Sequence, residues 1–536
     1  MNGSHCARFC RTGLLAAWLC GGLAVGVAAP PDNADSPKEG PNLRSDDRLP
    51  RPRRTESAPS PRKIKEGEVE ARLPQAPPSI LPPEAHGIDL TCVLKLAGVD
   101  NPDINIARQR VIGAEALRMA AFAMVLPNFN AGANYDAHTG PLQQSSGNIL
   151  KVNRNALYFG MGAGATAAGT VPVPGIQYVI NPSVGVFGAL SVMQTVRVAQ
   201  FENLAVRNQI FLRTATGYMN LLRAEGRLAI ATKNRSEAHE IARLTAVYAI
   251  TGQGKESDAD RAATELAHRN SDVVEAEGEI LVASAQLARL INVPPTVPMR
   301  ALEGWEGLVP RSMVPDPIPL QQLLLIALDQ RPELAARRAS IRRAILQLYN
   351  AKLLMFSPTI LAGYSAGSYG GGSNLIGQPG GFQGFAEARF GSFAPRDDID
   401  VVMYWTAQNM GVGNWARIKG RAAERRIAEL EFVRDLNMVR ADVATSYART
   451  HARFAQIAIA QRGVESGMRS YKEDLDRIEG GIGLPIELLN SFDLLAAARY
   501  QYLESLVAYD NAQFALYVAL GQPPANNLAR EIPTDL

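Results

Sequence analysis

The stretch YAITGQGKESDADRAA, from Tyr248 to Ala263, holds a spacing that resembles a phosphate cradle: Gly252 and Gly254, then Lys255. Backbone N–H groups of a glycine-rich loop can wrap a phosphate while a lysine neutralises it. The spacing fails that chemistry. A phosphate loop needs glycine five residues before its Gly-Lys pair and a hydroxyl residue after it; Ala249 and Glu256 stand there. The dinucleotide pattern G-x-G-x-x-G breaks at Ser257. Elsewhere the six histidines are scattered, with no metal-binding spacing. Asp397, Asp398 and Asp400 in RDDIDV read as a solvated loop, since hard-cation ligation needs a fuller loop pattern. The residue types that do chemistry are present without the constellations that make them act. The expectation is a non-enzyme with no cofactor and no metal.

A twin of the glycine pair occurs in IEGGIGLPIELLN, at Gly481 and Gly483. Both pairs read as turns joining antiparallel helices. Glycine supplies the left-handed conformation that ends one helix, and Ser257 or Pro485 begins the next. The flanking segments fit. Proline is absent from about Leu190 to Ile250 and from about Gly413 to Ile478. Sixty helical residues span on the order of 90 Å, longer than a compact domain needs. After the first turn, Leu266, Val273, Ala276, Ile280, Ala283, Leu287 and Leu290 form a heptad seam, so this helix packs along a neighbour.

The twin turns belong to a larger duplication. Pro102 matches Pro332 at an offset of 230, Pro127 matches Pro358 at 231, and Tyr218 matches Tyr447 at 229. NVPP, ending at Pro295, matches GQPP, ending at Pro524, again at 229. Each unit opens with a helix of about 30 residues, ending at Pro127 or before Pro358. A strand follows. In NFNAGANYD, Phe129, Ala131, Ala133 and Tyr135 share one face, while Asn128, Asn130, Gly132, Asn134 and Asp136 share the other. One apolar and one polar face suits a membrane barrel strand or the edge of a soluble sandwich. A Gly/Ala/Ser-rich stretch, roughly 137–181, reads as a long loop, with a second strand near NPSVGVFGALSV. In the second unit the strand is DIDVVMYWTAQN, whose Tyr404 and Trp405, like Tyr135, suit a membrane interface.

The remaining segments set the context. Residues 1–29 have Arg8 and Arg11, an apolar run and small residues, the pattern of a signal peptide. An uncleaved anchor is the alternative. Cys20 invites acylation, but Leu19 precedes it where a small residue belongs. After cleavage only Cys92 remains, which excludes an internal disulfide and a cysteine metal site. Residues 30–85, rich in proline and mixed charge, read as a disordered tether. Two repeats follow, 86–300 and 320–525, joined by a linker at 301–319 and closed by a tail at 526–536. The formal charge of +3 provides no basic face for nucleic acid. No run of 18 apolar residues follows residue 30, which argues against membrane-spanning helices.

The duplicated order resembles the TolC-like outer-membrane efflux family over about 88–524. The carrying residues are NPDINIARQRVIGAEALRMAAFAMVLPNFNAGANY, RPEL with SPTILAGYSAGSY, GKESDADRAATEL and ALGQPP. The resemblance implies a mainly α chain with a small β part. Three copies would build a twelve-stranded β-barrel on a periplasmic α-helical barrel. It implies an exit duct of a tripartite efflux or type I secretion system, with a homotrimer, a periplasmic adaptor, an inner-membrane pump and outer-membrane lipid as partners. By the same resemblance the helical tips gate the pore. Asp260 stands six residues after Gly254 and Glu487 six after Gly481, with Asn490 where an acid is common. A carboxylate ring there would favour cations; acids at a helix N-terminus also favour its dipole. Ile478 stands where some relatives carry a tip tyrosine. EIARLTAVYAITG would face the adaptor. The other reading is a periplasmic coiled-coil protein without a pore.

Overall fold

The structure is a computed structural model that describes residues 66–165, 169–302, 308–314, 318–373 and 393–522. The expected leader, the tether as far as residue 65 and the tail at 526–536 lie outside the described residues.

The duplication is visible in the helix lengths. The first unit has α2 (Leu90–Asp100, 11 residues), α3 (Pro102–Ala123, 22), α4 (Ala189–Thr251, 63) and α5 (Glu256–Ile291, 36). The second has α6 (Leu320–Gln330, 11), α7 (Pro332–Leu353, 22), α8 (Val412–Glu479, 68) and α9 (Pro485–Ala519, 35). The single opening helix expected in each unit is thus two helices. The break falls before Pro102 and Pro332, which hold Asn101 and Arg331 in extended conformation and then start the next helix as its first residue. Asn101 caps α3, its Oδ1 accepting from the N–H of Asp103 at 2.9 Å.

The uninterrupted α4 and α8 are about 95 and 100 Å long. α5 folds back along α4, and α9 along α8. The heptad seam of α5 is buried from Leu266 to Leu287. A central core joins Phe211, Tyr218 and Met219 of α4 with Leu287 of α5 and Tyr509 and Phe514 of α9. A second core near the turns joins Ile241 of α4 with Leu266 of α5 and Leu488, Phe492 and Leu495 of α9.

Part of the last twenty residues of the expected tether packs against the helices. After the short α1 (Glu66–Glu70), Leu73 is buried against α4 and α5. Arg72 pairs with Glu256 at 2.8 Å, and Glu277 accepts from the Ser79 hydroxyl at 2.6 Å and the Ile80 N–H at 2.8 Å. This strap follows α5 away from the turn. It ends in β1 (His86–Ile88), which pairs in parallel with β7 (Met299–Ala301). Burial of Val69 and Leu73 and the hydrogen bonds to Glu277 oppose the ordering entropy on which the composition argument rested.

The remaining strands are β2 (Asn128–Phe129), β3 (Ala131–Gln143), β4 (Ile149–Ala163), β5 (Val173–Pro174), β6 (Ile176–Ile180), β8 (Thr359–Ser373) and β9 (Ala394–Tyr404). They form four antiparallel lines. β2 continues into β3, and β6 continues the line of β4; then come β8 and β9. Two expectations are corrected. The stretch 137–181 is chiefly the β3–β4 hairpin and β6, not a loop. The second strand of the first unit is β6, not NPSVGVFGALSV: Asn181 Oδ1 accepts from the Val184 N–H at 3.2 Å and starts a π-helical turn, Val184–Gly188, that leads into α4.

Candidate functional site

The two turns are built identically. In the first, Gly252 N–H bonds to Ala249 O at 3.2 Å, and the N–H groups of Gln253 and Gly254 both bond to Tyr248 O at 2.9 Å. In the second, Gly481 N–H bonds to Ile478 O at 2.9 Å, and Ile482 and Gly483 bond to Arg477 O at 3.0 and 2.9 Å. Gly252 and Gly481 share a φ of 74°, the left-handed conformation. A Cβ at Gly483 would lie 2.8 Å from the Ile478 backbone nitrogen.

This hydrogen-bond match aligns Gly252 with Gly481 and Gly254 with Gly483. Glu487 then corresponds to Asp258, and Asp260 to Leu489. Asp260 and Glu487 are therefore not equivalent positions: the counts of six residues start from different glycines. Asp260 and Asn490 are exposed, and Asp260 makes no side-chain hydrogen bond or ion pair among the described residues. Asp258 pairs with Arg261 at 3.2 Å, and Glu487 with Arg477 at 3.3 Å.

Three residues that the sequence reading did not single out tie the two hairpins together. Tyr248 donates its hydroxyl to Ile478 O at 3.0 Å, so one turn is latched to the other. Further along, Arg269 of α5 lies 2.6 Å from Glu265, 3.0 Å from Asp272 and 2.6 Å from Asp493 of α9, with its guanidinium over the Phe492 ring. Burial lifts the Glu265 carboxyl above its ordinary range despite that cation. Arg499 of α9 is buried, and bonds to Glu237 of α4 at 2.6 and 2.8 Å and to Asn234 at 2.6 Å. Beside it, burial pushes the Tyr471 hydroxyl up to about 12. Of these residues only Tyr248 had a signal in the sequence, its position: Tyr248 and Arg477 occupy the same place in their turns, 229 residues apart.

At the other end, strand register assigns the sheet faces. Asn134 pairs with Tyr158, Tyr158 with Tyr369, and Tyr369 with Ala394, so these share one face. That face also carries Asn128, Asp136, His138, Arg154, Gln177, Ser365, Arg396, Asp398 and Asp400. The other carries Phe129, Ala133, Tyr135, Leu157, Phe159, Ile360, Ile399, Val401 and Met403. It is bare: Phe129 is 68% exposed and Ile399 75%. The alternation read around Asn128, Asn134 and Asp136 holds across all four lines. Tyr135 lies on the apolar face where it gives way to Asn155 and Asn153. Trp405 lies at the opposite end, donating Nε1–H to Phe356 O at 3.2 Å. Tyr404 pairs with Thr359 and falls on the polar face. Asp397 faces away from Asp398 and Asp400, and Asp398 is paired with Arg396 at 2.9 Å. The three carboxylates therefore do not converge on a cation, and no metal-ligating cluster occurs among the described residues.

No protein-family model matches the chain, and no curated protein matches it in sequence. Solved structures do. The outer-membrane channel OprN superposes with a TM-score of 0.63 at 18% identity, over 83% of this chain and 98% of that one. The outer membrane protein VceC from Vibrio cholerae superposes at 0.61 and 15% identity, over 81% and 96%. The Campylobacter jejuni CmeC outer membrane channel does so at 0.61 and 16% identity, over 81% and 85%. The chain has the fold of these channels.

Proposed function

We propose that this protein is an outer-membrane exit duct of a tripartite efflux or type I secretion system, placed in the bacterial outer membrane with its helices in the periplasm. The observation that carries the reading is the four-line sheet with one bare apolar face, one polar face and two edges that are unpaired among the described residues. In lipid an open edge leaves backbone N–H and C=O groups without partners, so four lines cannot stand alone. Three copies close an even, twelve-stranded barrel with apolar residues to lipid and polar residues to the lumen. The helices support the same assembly. Ile112, Met119 and Phe122 of α3 and Ile427, Leu430, Val433 and Met438 of α8 are exposed in the protomer. Neighbouring copies would cover them. A pore-free coiled-coil protein would have no use for a sheet with such faces.

The helical turns then lie at the periplasmic end, where Asp260, Glu487 and Asn490 line the narrowing. An inner-membrane pump and a periplasmic adaptor would meet the duct there, the adaptor along EIARLTAVYAITG. The test is purification from membranes, mass measurement in detergent and single-channel recording in planar bilayers. A detergent-stable trimer with steady conductance is expected. A monomer in the aqueous fraction would overturn the proposal.

A further inference from the structure

The line formed by β4 and β6 is one strand with an insertion. Met161 pairs with Ala366 and Ile176 with Tyr364, so only Ser365 separates the two on β8. On the other side Ala131 pairs with Met161, and Phe129 with Ile176. Asn130 bridges the ends: its C=O accepts from Gly162 N–H at 3.0 Å, and its N–H donates to Gly175 O at 2.6 Å. Joining Gly162 directly to Ile176 would leave the strand in register on both edges. Residues 163–175 are therefore surplus to that strand line, and β5 within them pairs only back onto Gly162 and Ala163.

The described part of this insertion lies on the polar face. Asn134 Oδ1 accepts from the N–H groups of Gly164 and Ala165 at 2.8 and 2.9 Å, and its Nδ2 donates to Ala165 O at 3.1 Å. Asn130 Nδ2 donates to Pro174 O at 2.7 Å. Ser365 Oγ accepts from Gly175 N–H at 3.2 Å, and Arg396 donates to Gly169 O. Ala165 and Val171 bury Tyr158 completely. Pro174 covers Gly363 so closely that a Cβ there would meet it at 2.5 Å. Four polar-face side chains from three strand lines hold the segment down. They leave Gly169, Thr170, Pro172 and Val173 exposed above it.

We infer that residues 163–165 and 169–175 form a collar inside the barrel, an uncharged constriction distinct from the helical turns. The inference rests on the channel reading, which makes the polar face the lumen. Three collars would converge there. Their exposed groups are small and neutral, so the collar selects by size rather than by charge.

The test is a density map of the assembled protein in lipid nanodiscs, for the native chain and for a variant lacking 163–175. A trimer narrowed at Gly169–Val173, widening to the bare barrel wall in the variant, is expected. A trimer whose barrel is clear at that level, or equally narrow in the variant, overturns the collar and leaves the duct standing. Absence of a trimeric barrel overturns both. Should the deletion not assemble, Asn134→Ala keeps the strand intact and removes three of the bonds to the collar. Hydrogen exchange at Gly164 and Ala165 should then rise severalfold, with β3 and β4 protected as before. Unchanged exchange there also counts against the collar's attachment.

Discussion

Arg499→Ala tests whether the two hairpins of a protomer are locked by a buried charge. The guanidinium makes three hydrogen bonds of 2.6–2.8 Å, two to Glu237 and one to Asn234, and its side chain is only 8% exposed. Removing one partner of a buried ion pair costs about 3–5 kcal/mol, chiefly because the other charge stays buried and unpaired. Glu237 is 18% exposed and regains some water, which places the loss near the lower bound, about 3 kcal/mol. Asn234 adds an orphaned acceptor, because Asn234 has no exposed surface. Glu237→Gln should cost less, and the double variant less than the two singles together. The assay is a double-mutant cycle on helix unfolding by circular dichroism, in one detergent at one protein concentration. Since the pair joins α4 to α9, Arg499→Ala should also raise the frequency of open events in bilayers. Unchanged unfolding, or strictly additive losses, would refute the lock.

Other outcomes follow from the same geometry. Asp260→Ala with Glu487→Ala should raise leak conductance and weaken cation preference; unchanged values would remove these carboxylates from the constriction. Tyr248→Phe deletes the hydroxyl that bonds to Ile478 O and should raise leak without lowering trimer yield, measured in bilayers and by native gel. Gly252→Ala forces a Cβ into a φ of 74° and should cost about 1 kcal/mol, read from the unfolding midpoint. Asp510, 2% exposed and accepting from Arg311 N–H at 2.9 Å, has its carboxyl pushed up by burial to about 7. The fold therefore holds a proton that the unfolded chain releases near pH 4, and stability from this group declines as pH rises toward 7. Between pH 5 and pH 7.5, Asp510→Asn should remove about 2.5 kcal/mol of that decline. Midpoints at pH 5 and pH 7.5 measure it, and an equal pH response in both proteins would count against it.

The long helices, the turns and the duplication were legible because each rests on a local signal. Missing prolines set α4 and α8, and a glycine needing a left-handed φ set each turn. The polar and apolar strand faces were legible from period-2 alternation. What was missed depends on partners distant in sequence. GATAAGTVPVPG reads as a loop because its anchors, Asn130, Asn134, Ser365 and Arg396, come from three strand lines. The strap looked disordered because its few apolar residues gain burial only against α4 and α5. Arg499 and Glu237, far apart in sequence, carry no mark that they meet. Asp260 was matched to Glu487 by counting from a glycine, whereas backbone bonds fix which glycines correspond.

The breaks at Asn101 and Arg331 have a mechanical consequence. α3 starts where α5 stops, with Asn101 Nδ2 donating to Leu290 O at 2.8 Å. α7 starts where α9 stops, with Arg331 Nε donating to Ala519 O at 2.8 Å. Each unit is thus a continuous rod, α4 or α8, splinted by two shorter rods laid end to end. A splint resists bending least at its joint, and both units place the joint at matching positions. Below it lies an arm the length of α5, about 54 Å. Each degree of flexure at the joint swings the turns sideways by about 1 Å. A lever of that ratio converts strain too small to break the helices into displacements on the scale of a hydrogen bond at the far end.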